Sequence, residues 1–167
     1  DVVIVDGVVT EILEIGTAVA EAGDVQHDLE GLLLLPAPAE PHAHLDKAFT
    51  ADLVENPTGD LLGAIIAWTA HRPTLTVEDI ARRAEAAVRL SVANGITAIR
   101  THVDLGSDVG LRGIEAMCLV RERMRTMADI EIVTLVAPSL MGWSVADQTA
   151  LLCEAMAIGA DTVGGAP

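Results

Sequence analysis

Thr76-Val-Glu-Asp-Ile-Ala-Arg-Arg-Ala-Glu-Ala-Ala-Val-Arg-Leu-Ser-Val-Ala-Asn-Gly-Ile-Thr-Ala-Ile-Arg-Thr-His-Val103 is the stretch on which the fold turns. Thr76 and Asp79 make a capping-box-like start, Ile80, Ala84, Ala87 and Val88 recur at helical spacing, and Asn94-Gly95 is a stop signal. From Ile96 to Val103 the helical spacing is lost and the residues read as a strand. Downstream the alternation repeats. A second helix carries Leu111, Ile114, Cys118 and Met124, and Ile130 to Val136 is a strand ending near Pro138. Ser144, with Asp147 three residues on, starts a third helix through Leu151, Leu152 and Ala155 that stops at Gly159, and Asp161 to Gly164 opens another strand. Upstream, the run Leu32-Leu33-Leu34-Leu35 reads as a buried strand that ends at Pro36 and leads into a polar loop.

Strands recur every 30 to 35 residues or so, as in successive βαβ units, and the polar clusters fall at their C-terminal ends. The expected class is therefore α/β, with a parallel sheet or a (β/α)8 barrel. A closed barrel takes eight strands and about 250 residues, so these 167 residues account for roughly half of one. The division expected is residues 1–30 as part of a small β domain, with short strands broken at Asp6-Gly7, Gly16 and Gly23-Asp24, and residues 31–167 as the first four β/α units.

The composition is that of a globular protein, 51% hydrophobic and 21% charged. A formal net charge of -15 repels both phosphate backbones and anionic membrane surfaces, which argues against nucleic acid or membrane as a partner. No apolar run approaches the ~18 residues of a membrane span, and Asp1-Val-Val-Ile-Val lacks the basic start of a signal peptide. Cys118 and Cys153 sit inside helical patterns with no paired metal-ligand spacing and read as buried, reduced thiols, consistent with a cytoplasmic protein.

Chemistry concentrates in Glu40-Pro41-His42-Ala43-His44-Leu45-Asp46. In extended backbone, residues two apart share a face, so His42 and His44 can address one ion, and imidazole suits zinc or iron(II). Two surface-loop histidines would look the same in isolation; a position at the C-terminal end of a first barrel strand favours ligation. His102 and Asp104 end the second strand, where a role in the site competes with hydrogen bonds that merely fix the loop. Asp46 and Lys47 read as a local ion pair or as residues orienting the loop. His27 and His71 lie off the strand-end pattern and read as ordinary surface or packing residues.

The motif from Pro41 to Asp46 resembles the first-strand metal motif of the amidohydrolase superfamily. Glu40 to Lys47, Ala93-Asn94-Gly95-Ile96, Arg100-Thr101-His102-Val103-Asp104 and Gly159 to Pro167 together resemble the cytosine deaminase branch, in that order and at similar spacing. The resemblance implies a (β/α)8 barrel with a small β-sandwich segment. It also implies one divalent ion, zinc or iron(II), bound by His42, His44 and ligands from later strands, which activates a water for hydrolysis of a C–N bond in a small heterocycle or cyclic amide. The remaining ligands and the catalytic acid and base are expected beyond residue 167.

Leu61 resembles a pocket-lining apolar position, with core packing as the other reading, and His102, Ser139 and Trp143 are the further substrate-side candidates. Cytosine deaminases carry a Pro-Gln-Glu-Gly-like turn on the third strand, whereas this chain reads Val136-Ala-Pro-Ser-Leu-Met-Gly-Trp143. Losing a bidentate amide of that kind costs discrimination on the order of 10⁴-fold, which argues for a ring other than cytosine. Ending at Pro167, the sequence is expected to be a truncated or incomplete barrel; the alternative is a noncatalytic half-barrel whose bare apolar surface favours pairing with a second copy.

Overall fold

The computed structural model describes residues 1–136 and 145–165. The chain divides into two compact units, Asp1–Leu35 and Pro36–Pro167. In the first, β1 (Val2–Val5) pairs antiparallel with β2 (Val8–Ile12). Asp6 and Gly7 both take positive φ, 52° and 78°, the geometry that a two-residue hairpin turn requires. No further helix or strand follows before Leu35.

The second unit holds four parallel strands hydrogen-bonded in sequence order: β3 (Ala39–Ala43), β4 (Ala98–Leu105), β5 (Asp129–Val136) and β6 (Thr162–Gly165). Between them run α1 (Leu61–His71), α2 (Val77–Ala93), α3 (Arg112–Met124) and α4 (Val145–Ile158). The expected α/β class with a parallel sheet is thus the observed one.

β4 sets the plan of the unit. Ile99, Thr101, Val103 and Leu105 are buried on one face, while Arg100, His102 and Asp104 alternate on the other. Against the buried face pack Ile80, Ala84 and Val88 of α2 and Ile114, Met117 and Val120 of α3, all fully buried. Each of the larger side chains among them, those of Ile80, Val88, Ile114, Met117 and Val120, contributes about 1.5–3 kcal/mol by leaving water. Gly113 lets α3 approach the sheet, because a Cβ there would lie 2.7 Å from Val103 Cγ1.

The ends of α2 follow the sequence signals. Thr76 Oγ1 accepts from Asp79 N at 3.1 Å. At the other end Gly95 takes φ +84°, and the N–H groups of Gly95 and Ile96 return to Val92 O and Ser91 O at 2.9 and 3.0 Å.

Three expectations need correction. Leu32–Leu35 form no strand and are 56–81% exposed; the first parallel strand is Ala39–Ala43, and it contains His42 itself. Pro36 and Pro38 supply no N–H to a ladder, so pairing with β4 starts only at Ala39. The thiols are not buried, since Cys118 is half-buried and Cys153 exposed. Cys153 lies two residues from buried Ala155 and therefore on the other side of α4. Leu61 is 76% exposed rather than packed in the core. It opens α1, a helix the periodicity did not announce, capped by Asp60 Oδ1, which accepts from Gly63 N at 2.7 Å.

Candidate active site

His42 lies on β3 and His44 directly after it, at the C-terminal edge of the sheet. The β3–β4 register shifts between Glu40 and Ala43, where Pro41 has no donor, and His42 N donates instead to Glu40 Oε1 at 2.9 Å. The His42 and His44 ring centroids are 5.2 Å apart. From the neighbouring strand, the His102 ring stacks on His42 at 4.0 Å and 19° and lies 5.9 Å from His44. Three imidazoles therefore meet where two adjacent strands end.

His44 Nδ1 lies 2.9 Å from the main-chain oxygen of His102 and 3.4 Å from Lys47 Nζ. A carbonyl can only accept, so Nδ1 carries the proton and donates, and the ammonium contact is electrostatic. Burial lowers the His44 pKa, the Lys47 cation lowers it further, and the bond to His102 opposes both. Burial, followed by the charges on His42 and His44, also lowers the pKa of His102. Both rings are thus biased toward the neutral form, and the His44 tautomer leaves Nε2 with a free lone pair.

Beneath the histidines, the turn Leu45–Lys47 is held from several directions. Leu45 N donates to Thr101 Oγ1 at 3.0 Å, and Asp104 N donates to Asp46 Oδ2 at 3.3 Å. Burial pushes the pKa of Asp46 up to about 6, with the Lys47 cation opposing and the Asp104 charge adding to the rise. Its Oδ1 is buried and has no hydrogen-bond partner among the described residues.

Asp104 is the hub of the site. Its Oδ1 accepts from Lys47 Nζ at 2.7 Å, and its Oδ2 from Trp68 Nε1 at 2.8 Å and Arg72 Nη1 at 3.4 Å. Burial alone would raise its pKa, but Lys47, Trp68 and Arg72 outweigh that and hold the carboxyl below its usual value. Arg72 also pairs with Asp108, 2.6 Å from Nη2. On the helical side, the buried Arg83 of α2 donates from Nη1 to Asp46 O at 3.0 Å and Ala48 O at 2.7 Å, and from Nε to Asp79 Oδ2 at 2.8 Å.

Of the residues singled out from sequence, His42, His44 and His102 come together. Lys47 pairs with Asp104 rather than with its neighbour Asp46. Leu61 stands at the start of α1, and Ser139 and Trp143 lie outside the described residues. His27 is exposed, and His71 ends α1 with its ring 5.9 Å from that of Trp68. Trp68, Arg72 and Arg83 were not anticipated. Arg83 carried a readable signal, being a cation on the apolar face of a well-defined helix beside Ile80 and Ala84.

Two adjacent imidazoles, His42 and His44, the latter oriented through its Nδ1 by a main-chain carbonyl, have the donor chemistry and outer support of zinc or iron(II) ligands. Among the described residues no group of three or more His, Cys, Asp and Glu side chains is placed to hold an ion. The residues present thus fit a metal as one part of a ligand set.

No family model matches the chain. It is 32% identical over 136 residues to the pterin deaminase of Rhizobium rhizogenes, covering 81% of this chain and 31% of that protein. It is 27% identical over 150 residues to the N-isopropylammelide isopropyl amidohydrolase of Pseudomonas sp. (strain ADP), covering 83% of this chain and 35% of that protein. Among solved structures, 5-methylcytosine deaminase from Klebsiella pneumoniae, liganded with 5-fluorocytosine, superposes with a TM-score of 0.82 at 31% identity, over 98% of this chain and 39% of the other. The chain thus spans about a third of the length of the curated relatives it matches. By sequence and by fold, the chain is similar to the N-terminal part of these deaminases and amidohydrolases, all of the amidohydrolase superfamily.

Proposed function

We propose that the protein carrying this chain is a metal-dependent hydrolase that cleaves a C–N bond of a small nitrogen heterocycle or cyclic amide. The observation that carries the reading is the His42–His44 pair at the C-terminal edge of a parallel sheet, with His44 Nδ1 fixed by the His102 carbonyl at 2.9 Å. That edge is where α/β barrels gather their chemistry. The relatives, named for pterin, N-isopropylammelide and 5-methylcytosine, support a planar heterocycle as substrate.

On this reading the four parallel strands are the first half of a (β/α)8 barrel, and residues 1–30 belong to a small β-sandwich. His42 and His44 present imidazole nitrogens to one divalent ion, zinc or iron(II). Such an ion supplies Lewis acidity that makes hydroxide available near neutral pH. Lys47, Asp104 and Arg83 hold the turn that follows the ligands, so that the imidazoles meet the ion without reorganisation. Leu61, Ser139 and Trp143 are assigned to the substrate side.

Two free cysteines and a net charge of -15 support a cytoplasmic enzyme that does not bind nucleic acid. Among the described residues no helix is long and apolar enough to cross a membrane.

The test is metal content together with ammonia or amine release by the full-length protein, on amino-substituted pteridine, triazine and pyrimidine rings. About one zinc or iron per chain is expected, lost with activity in His42→Ala and His44→Ala. A full-length protein that takes up neither metal and releases nothing from any ring refutes the proposal.

A further inference from the structure

We infer that His102 is a positioning residue for the His42–His44 pair and does not contact substrate. The inference rests on the proposal that this pair holds a metal ion. Its basis is that one residue engages both histidines by different means. The His102 ring lies parallel to His42 within 19°, at 4.0 Å, and so limits rotation of that imidazole about its own axis. Its main-chain oxygen accepts a hydrogen bond from His44 Nδ1 at 2.9 Å.

The support is rigid. Thr101 and Val103, on either side of His102, are completely buried, and β4 is hydrogen-bonded to β5 along its whole length. The β3–β4 ladder ends at Ala43↔Thr101, and the His102 carbonyl one residue beyond takes a side chain as its donor.

Two sides of the His102 ring are taken up among the described residues. Nδ1 is buried with no hydrogen-bond partner among the described residues. One face of the ring is occupied by His42. The ring thus lays a flat face against His42, while the carbonyl that holds His44 is independent of the side chain.

This separates the two roles experimentally. In the full-length protein, His102→Ala and His102→Phe are compared with wild type for zinc(II) affinity by chelator competition, for KM and kcat at saturating zinc, and for the ¹⁵N resonances of His42 and His44 without metal. A positioning role predicts that His102→Ala weakens zinc binding about 10- to 100-fold. It also predicts that His102→Phe, which keeps a flat ring against His42, recovers most of the loss, and that KM at saturating zinc stays within about twofold. The metal-free spectrum of His102→Ala should show a mobile His42 ring, with the His44 Nδ1–H tautomer retained.

Wild-type zinc affinity in both variants with a raised KM overturns the inference and makes His102 a substrate contact. Equal loss of zinc in Ala and Phe also overturns it, because a nitrogen rather than a plane would then be required. His42→Ala is the control for the underlying proposal. If it leaves zinc affinity unchanged, the metal reading of the pair fails, whereas altered zinc binding in His42→Ala alone rejects only the role of His102.

Discussion

Replacing Arg83 with Met removes a cation that is 3% exposed while keeping most of its apolar stem. The guanidinium makes two main-chain bonds, to Asp46 O at 3.0 Å and Ala48 O at 2.7 Å, and one ion pair, to Asp79 at 2.8 Å. The ion pair contributes little, because Asp79 is 34% exposed and such pairs give about 0.2–1 kcal/mol. The carbonyl bonds contribute more: hydrogen bonds to a charged group give about 1.5–3 kcal/mol each, and the carbonyls they leave behind lose their donor. Against this stands relief from burying a guanidinium whose Nη2 has no partner among the described residues, which offsets part of the gain. A net loss of about 2–4 kcal/mol is expected, read as a shift in the denaturant midpoint of the full-length protein at unchanged m-value. Asp79→Ala should cost under about 1 kcal/mol, and the double variant should lose no more than Arg83→Met alone. Asp79 adds a pH signature. The hydrogen bond from Arg83 lowers its folded pKa, so the associated stability is present above the unfolded Asp value of about 3.9 and is lost as pH falls through the lower folded value. That acid limb should flatten in Arg83→Met. If Asp79→Ala costs as much as Arg83→Met, or Arg83→Met costs less than about 1 kcal/mol, the carbonyl bonds do not hold the turn and the reasoning fails.

Asp104→Asn leaves Lys47 and Arg72 without their shared carboxylate and should destabilise by about 2–4 kcal/mol in chemical denaturation, less than a fully buried pair because Lys47 is 25% exposed. Gly113→Ala gains helix propensity of about 1 kcal/mol but sets a methyl 2.7 Å from Val103 Cγ1; net destabilisation of about 1–2 kcal/mol by thermal melting is expected, and Gly113→Ala with Val103→Ala should recover the clash component. Thr76→Ala removes the acceptor for Asp79 N and should lower stability by about 1 kcal/mol, with Thr76→Ser close to wild type in the same assay.

The elements that could be read from sequence are those whose local and tertiary preferences agree. α2 has a cap, an apolar stripe and a stop, and β4 and β5 follow it with β-branched runs, so their positions were legible. α1 was not, because Leu61 to His71 is apolar on nearly every side and offers no periodicity; its one signal was Asp60 as a cap. The first parallel strand was misplaced for the opposite reason. Leu32–Leu35 has the composition of a buried strand, while the true strand, Ala-Glu-Pro-His-Ala, has the composition of a loop and is defined by its pairing with Ala98 to Thr101. In the site, the His42–His44 pair follows from period-two geometry alone. The meeting of Lys47, Trp68 and Arg72 on Asp104 depends on three separate segments, the Leu45–Lys47 turn, the C-terminal end of α1 and β4, arriving at one strand end, and no short window of sequence contains it.

β4 shows how one strand carries both stability and chemistry. Its odd-numbered residues from Ile99 to Leu105 anchor the sheet to α2 and α3, so their register cannot slip by one without exposing the core side chains. Because that register is fixed, the even-numbered residues are fixed with it, and their roles differ only by distance along the strand. Arg100, in the N-terminal half, is exposed and pairs with Glu131 across to β5, an ion pair open to solvent. Two residues on, His102 stands against His42; two further on, Asp104 gathers Lys47, Trp68 and Arg72. The hydrophobic pattern that specifies the fold thereby also sets the orientation of the imidazole and carboxylate at the strand end. A core substitution that shifts β4 along its axis should therefore disturb the histidine cluster, even though no core side chain belongs to it.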